Sequence, residues 1–380
     1  MGRKMRIVID LLKEDEGAEY DELLGESELA LVYASFKYRC FLKRVLRNSE
    51  PIYLGAREVG HLVAALPAFV CYNSQYGNVL NSLPFYGSNG GAIVSSRVHN
   101  EFEPKQALIR AFHELAQEKK AIVSTLITNP LDEKAGFYEA QFCHTLRDER
   151  IGQVTSLPTG WRSQNELEIK LMDSFHSKTR NCIRKAQRSD LTIYHSDSME
   201  NLEKLASLHQ QNLVAIGGMA KPWMVFAALR ETFTYDQDYR VYMAEKDGEV
   251  IAALLVFYYN RTAEYFTPAT AESYRPYQPM SLLVYEAMQE ATRRGLRFWN
   301  WGGTWLTQGG VYHFKSHWGT MDRRYFYYVR EYTTPSPLRG LSAQEISLEY
   351  PYFYVFPFRL LQEGTNERNS VVSFSHLLKE

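Results

Sequence analysis

At 380 residues the chain exceeds what one ordinary hydrophobic core organises, so two domains are expected. Hydrophobic residues at 45% and charged residues at 23% exclude a disordered chain, and a net charge of −1 excludes any global pull toward nucleic acid or anionic membrane. A polyanionic partner would have to be held by a local patch.

The opening MGRKMRIVIDLLKEDEG has an apolar run of about six residues and then turns acidic, too short for a secretory signal. Residues 27–47 carry a helical pattern that leads to a turn at Pro51. Runs 52–56 and 61–71 read as strands joined by a hairpin at Arg57-Glu58-Val59-Gly60. A glycine-rich stretch, 83–91, follows. Pro104 opens a helix over 105–119, with Ala107, Leu108, Ala111, Phe112 and Leu115 at helical spacing, and 121–127 is a compact apolar strand stopped by Asn129-Pro130.

After Leu157-Pro158-Thr159-Gly160 the order begins again. A basic helix over 177–189 and helices near 199–215 and 222–233 precede strands at 239–245, 250–259 and 262–267, the first two joined by the turn Lys246-Asp247-Gly248-Glu249. A helix over 281–294 ends at Gly295, a strand covers 297–301, and a glycine-rich loop, a short helix near 311–318 and a strand near 323–329 complete the half. The shared order of helix, hairpin, strand, helix, strand predicts two α/β units, 1–165 and 166–335, each a mixed, mostly antiparallel sheet flanked by helices. A tail over 336–380 carries an aromatic stretch, 350–358, expected to pack on the protein or to form a dimer contact. No apolar run approaches the ~20 residues that span a bilayer. The scattered Cys40, Cys71, Cys143 and Cys182 form no CxxC pair, so neither disulfides nor a zinc site is expected and the cytoplasm is the default compartment.

Three stretches of the second half resemble the Fem-type family, the non-ribosomal peptidyltransferases that build interpeptide bridges of peptidoglycan precursors. They are the basic helix from Ser177 to Ala186, Asn300-Trp301-Gly302-Gly303-Thr304, and Phe314-Lys315 followed by Trp318-Gly319. The first half resembles the family more weakly, through Leu66-Pro67 and the glycine-rich stretch. The resemblance implies two tandem GNAT-like (N-acetyltransferase-type) domains, the second catalytic, and transfer of an aminoacyl or acyl group onto an amine of an envelope or polysaccharide precursor. Where the family often has Asp-Pro, with the carboxylate as a proposed general base, this chain has Asn129-Pro130. Where many members grip a nucleotide diphosphate with Arg-Pro, it has Lys221-Pro222, and Lys holds phosphate only as a point charge.

Acyl transfer to an amine passes through an oxyanion, and one fixed cation or donor there contributes about 3–4 kcal/mol. The resemblance assigns that role to Lys315, read as a helix-surface residue whose loss folding would barely notice, with Phe314 holding the donor terminus or excluding water. Gly302 and Gly303 permit a tight turn or bring main-chain amides to the donor. Arg180, Arg184 and Lys185 are candidates for phosphates of tRNA or of a carrier-linked acceptor, and Tyr274 and Arg275 for the acceptor cleft. With Asn129 in place of the carboxylate, the base is Glu264, Glu272, His313 or a water chain. No cofactor is implied. Aminoacyl-tRNA is the expected donor and acetyl-CoA the alternative, the latter disfavoured because Arg275-Pro276-Tyr277-Gln278-Pro279-Met280 has no glycine and two prolines where a pyrophosphate cradle would need backbone donors. Two further readings stand beside the Fem-like one: an acetyl-CoA-dependent N-acetyltransferase of an amino sugar or small amine, and a catalytically inactive double domain serving as a binding scaffold.

Overall fold

The structure, a computed structural model, describes residues 7–85, 87–134, 136–304, 309–334, 336–357 and 360. Contacts divide the chain into two compact units. The first holds the residues up to Arg150 and those described from Arg324 on; the second runs from Ile151 to Arg323.

The first unit contains β1 (Ile7–Leu11), α1 (Gly17–Glu26), α2 (Phe36–Val45), β2 (Ser49–Glu58), β3 (His61–Cys71), β4 (Asn78–Ser82), the short β5 (Ile93–Val94), α3 (Phe102–Glu118), β6 (Ala121–Ile127) and α4 (Gly136–Gln141). Then β7 (Leu146–Ser156) crosses into the second unit. There follow α5 (Gln164–Ser174), α6 (Ser177–Gln187), β8 (Thr192–His195), α7 (Met199–Ala215), α8 (Trp223–Thr232), β9 (Tyr239–Lys246), β10 (Glu249–Tyr259), β11 (Thr262–Thr270), α9 (Pro279–Arg293), β12 (Phe298–Thr304) and α10 (Gly309–Ser316). Finally β13 (Thr320–Glu331) crosses back, and α11 (Ala343–Glu349) belongs to the first unit.

Both units share one topology. In the first, β1, β2, β3 and β4 pair antiparallel in order, β4 pairs parallel with β6, and β6 pairs antiparallel with β13. In the second, β8, β9, β10 and β11 pair antiparallel, β11 pairs parallel with β12, and β12 pairs antiparallel with β7. The closing strand of each unit therefore comes from the other half of the sequence. This division differs from the contiguous blocks 1–165 and 166–335 and the separate tail. Local periodicity marks a strand without saying which sheet edge it completes.

The hairpins form where two successive residues take positive φ, as the tight turn matching strand twist requires. These are Val59 (52°) with Gly60 (84°) and Asp247 (52°) with Gly248 (80°). Helix α3 turns Leu108, Ile109, Phe112, Leu115 and Ala116 onto the first sheet, and α9 buries Leu283, Val284, Ala287, Met288 and Ala291 against the second. The aromatic tail packs on the first unit: the Tyr350 hydroxyl donates to the Gly77 carbonyl (2.7 Å), the Tyr354 hydroxyl to Asp148 (2.8 Å), and the Tyr354 carbonyl accepts from Thr125 (3.0 Å). Phe358, the last residue of the expected aromatic stretch, lies outside the described residues.

Candidate active site in the second unit

Strands β11 and β12 pair over only three positions, Thr262 with Phe298, Ala263 with Trp299 and Glu264 with Asn300. Yet β11 stays paired with β10 as far as Thr270, and β12 with β7 as far as Thr304. Past Glu264 and Asn300 the sheet therefore forks. Each arm carries one extra residue near the fork, Phe266 on β11 and one of the pair Trp301-Gly302 on β12. Such bulges bend a strand and re-aim its groups. Gly302 has φ +70°, which glycine adopts without a Cβ penalty. Asn300 holds the bend by accepting from the Gly302 N–H (3.0 Å), and its amide donates to Glu264 (2.8 Å). Glu264 and Asn300 are both buried. In the first unit the corresponding gap is spanned by the glycine-rich loop, whose Gly90 N–H donates to the Ile127 carbonyl (2.8 Å) and whose Asn89 amide donates to the Thr128 carbonyl (2.8 Å).

Lys315 lies at the end of β12, and it is only 6% exposed. Its ammonium donates to the Thr304 hydroxyl (3.0 Å) and the Gly303 carbonyl (3.3 Å). Thr304 in turn donates to Gln153 (3.4 Å), whose amide donates to the Tyr312 carbonyl (3.4 Å). Among the described residues no carboxylate pairs with Lys315, and burial lowers its pKa to about 8. The helix-surface position expected from the sequence is thus corrected: the face of α10 that carries Lys315 turns inward, because the buried end of β12 gives the ammonium its acceptors. Phe314 is exposed and sets its ring edge-on to Trp301 (6.0 Å) and Trp318 (6.2 Å). Thr155 ties this wall together, accepting from the Trp301 indole (3.0 Å) and donating to the Trp318 carbonyl (2.9 Å).

Apart from the motif residues Gly303 and Thr304, none of the other residues singled out by sequence bonds the Lys315 ammonium among the described residues. Lys221 is half-buried with its ammonium 4.9 Å above the Phe266 ring, and burial lowers its pKa to about 8. Its N–H donates to His209 (3.2 Å), a buried histidine whose pKa is pushed to about 4 by burial and then by Lys221. The Arg180 guanidinium is taken up locally, donating to the carbonyls of Phe175 (2.5 Å) and Met172 (3.4 Å). Arg184 and Lys185 are exposed. Tyr274 donates to Glu249 (3.0 Å), and the exposed Arg275 lies 3.8 Å from the exposed Glu272. His313 is exposed. Asn129 belongs to the first unit and shapes its own loop, donating to the Leu29 carbonyl (2.6 Å) and accepting from the Leu131 N–H (2.9 Å). Sequence reasoning missed Asn300 as a positioning residue, the Gln153–Thr304 link and His209. The available signal was a polar residue breaking an apolar strand or helix face: Asn300 between two tryptophans, and His209 in line with Leu202 and Leu205. Among the described residues no cluster of His, Cys, Asp and Glu is arranged to hold a metal.

Residues 173–316 match the acetyltransferase (GNAT) domain family. The sequence matches no curated protein. Among solved structures, FemX superposes with a TM-score of 0.66 at 14% identity, over 84% of this chain and 96% of its own. A tandem GNAT protein from the clavulanic acid biosynthesis pathway gives 0.51 at 11%, over 86% and 98%. L-PGS from Bacillus licheniformis gives 0.51 at 13%, over 85% and 94%. At such identities the likeness is one of fold. The domain match and the likeness of fold support an acyltransferase of the GNAT type. Its fold is the Fem-type double GNAT. Among the described residues no helix is long and apolar enough to cross a membrane.

Proposed function

We propose that the protein transfers an aminoacyl or acyl group from an activated donor onto an amine of an envelope or polysaccharide precursor, with the chemistry at the β11–β12 fork. The observation that carries this reading is the buried Lys315 ammonium with no carboxylate partner among the described residues. A buried cation without a counter-charge is costly unless negative charge arrives, and an acyl-transfer oxyanion supplies it. The acceptor nitrogen attacks the acyl carbonyl, its oxygen becomes the anion that Lys315 stabilises, and collapse expels the donor's leaving group. Glu264, held by Asn300 at the base of the fork, is the carboxylate best situated to take the amine's proton. The likeness to FemX and to L-PGS favours an aminoacyl donor. The match to the acetyltransferase (GNAT) domain favours a second reading, acetyl-CoA-dependent acetylation of an amine.

The test is transfer itself. The purified protein is given labelled aminoacyl-tRNA or labelled acetyl-CoA with amine-bearing envelope precursors and amino sugars. Label passing from aminoacyl-tRNA supports the first reading, label passing only from acetyl-CoA supports the second, and transfer from neither overturns both. With any substrate pair so found, Lys315→Met is expected to cut turnover about 100-fold or more while leaving acceptor affinity little changed.

A further inference from the structure

Helix α6 carries Lys178, Arg180, Arg184 and Lys185 and no acidic residue. Its inner face is Thr179, Ile183 and Ala186, which are buried. A second face, Lys178, Asn181, Cys182 and Lys185, follows the i, i+3, i+4, i+7 spacing that lines residues up on one side of a helix. That face, with Ser177 and Gln278, lines an open cleft of about 420 Å³. No carboxylate lines it, and neither Lys178 nor Lys185 pairs with one among the described residues. The other side of the cleft is Gln278, the residue before α9, flanked by Pro276 and Pro279, which lack backbone N–H groups to offer. Seven residues of helix place the two lysines roughly 10 Å apart along the axis, close enough for two long side chains to reach neighbouring phosphates of one ligand. Beside Gln278 stands the exposed Tyr277, with the Lys246 ammonium 5.2 Å above its ring. An exposed aromatic next to cationic groups is the pairing that stacks a base while neighbouring charges hold its phosphates.

We propose that this face of α6 is a phosphate site that holds the nucleotide end of the acyl donor, with Lys178 and Lys185 on successive phosphates and Tyr277 under the base. Arg180 has no part in it, its guanidinium being committed to the Phe175 and Met172 carbonyls. Only the assignment of these phosphates to the donor rests on the acyl-transfer reading. The anion site itself does not.

Cys182 reports on the cleft from inside it. Iodoacetamide alkylation of Cys182 in the full chain, read by peptide mass with exposed Cys143 as internal reference, is followed while inorganic pyrophosphate is added. Pyrophosphate is expected to slow alkylation of Cys182 and not of Cys143. In Lys178→Gln and Lys185→Gln its half-protecting concentration should rise about tenfold each, and in Arg184→Gln, on the neighbouring face, it should stay within twofold. Circular dichroism melts of the variants check that each is folded. No protection, or protection that survives the double Lys178→Gln/Lys185→Gln substitution, overturns the site. Coenzyme A and a short RNA ending in CCA are then competed against pyrophosphate. Competition by the RNA identifies a tRNA-linked donor and competition by coenzyme A an acyl-CoA. Competition by neither overturns the donor assignment while leaving both the anion site and the acyl-transfer reading to their own tests.

Discussion

Lys315 shows how far a single residue's role depends on its surroundings. As a surface lysine it would contribute little to folding, and its replacement would go unnoticed in a melt. Buried, it carries a desolvation penalty, seen in a pKa lowered from 10.5 to about 8. The sign for stability follows. Below about 8 the ammonium is charged in both folded and unfolded chains and the penalty is complete. Between about 8 and 10.5 the folded chain has released a proton that the unfolded chain keeps, so the penalty fades as pH rises. Lys315→Met should therefore melt no lower than the parent at pH 7, and any advantage should shrink toward pH 10; paired melting curves across that range check it, and a variant markedly less stable at pH 7 would contradict this account. Turnover should move oppositely with pH, falling above about 8 as the ammonium is lost. The type and position of Lys315 were legible in the motif, but its burial was not, because the acceptors that draw it inward sit on β12, outside its own helix. Arg180 teaches the converse: basic spacing on a helix cannot reveal that two carbonyls five and eight residues back occupy the guanidinium.

At the scale of elements, the glycines of the two motif stretches separate into different kinds. Gly302 has φ +70° with nothing within 4 Å of where a Cβ would stand, so an alanine there meets backbone strain alone. Gly319 has φ +67° and would in addition set its Cβ 2.5 Å from the Ser174 carbonyl oxygen at the end of α5. Gly302→Ala should cost roughly 1 kcal/mol and Gly319→Ala about 3 kcal/mol or more, compared by urea denaturation. Equal costs would mean that the approach of α5 to Gly319 is not rigid. Long periodic elements were readable from sequence: 121–127 and 199–215 fall on β6 and α7 as expected. The inner β4 and the short β5 were given no bounds, and the strands β1, β7 and β8 went unread. These last three are edge or closing strands with mixed burial, so their composition carries no clean alternation.

For the molecule as a whole, the duplicated topology was legible because it rests on element order, whereas the exchange of closing strands was not. The aromatic tail belongs to the same long-range pattern. Tyr350 is buried on the first unit and Gly77 accepts its hydroxyl, although 273 residues separate them. Tyr350→Ala should remove about 3 kcal/mol or more of stability and Tyr350→Phe about 1 kcal/mol, measured by denaturant unfolding monitored in the first unit. A neutral Tyr350→Ala would mean that the tail covers the sheet without supporting it.

The return of β13 bears on the order in which the protein can be made. A ribosome delivers the chain from its N-terminus, and a domain encoded in one block can mature as soon as it emerges. Here the sheet begun by β1 to β6 lacks its closing strand until residues beyond Arg323 have appeared, so the earlier-encoded unit is the later one to be finished. For most of synthesis its β6 edge has no permanent neighbour, the kind of exposed strand that captures other chains. The second unit draws its closing strand from residues already outside and can mature first. Nascent chains released at about residue 320 should accordingly hold a protease-resistant second unit beside an open first one.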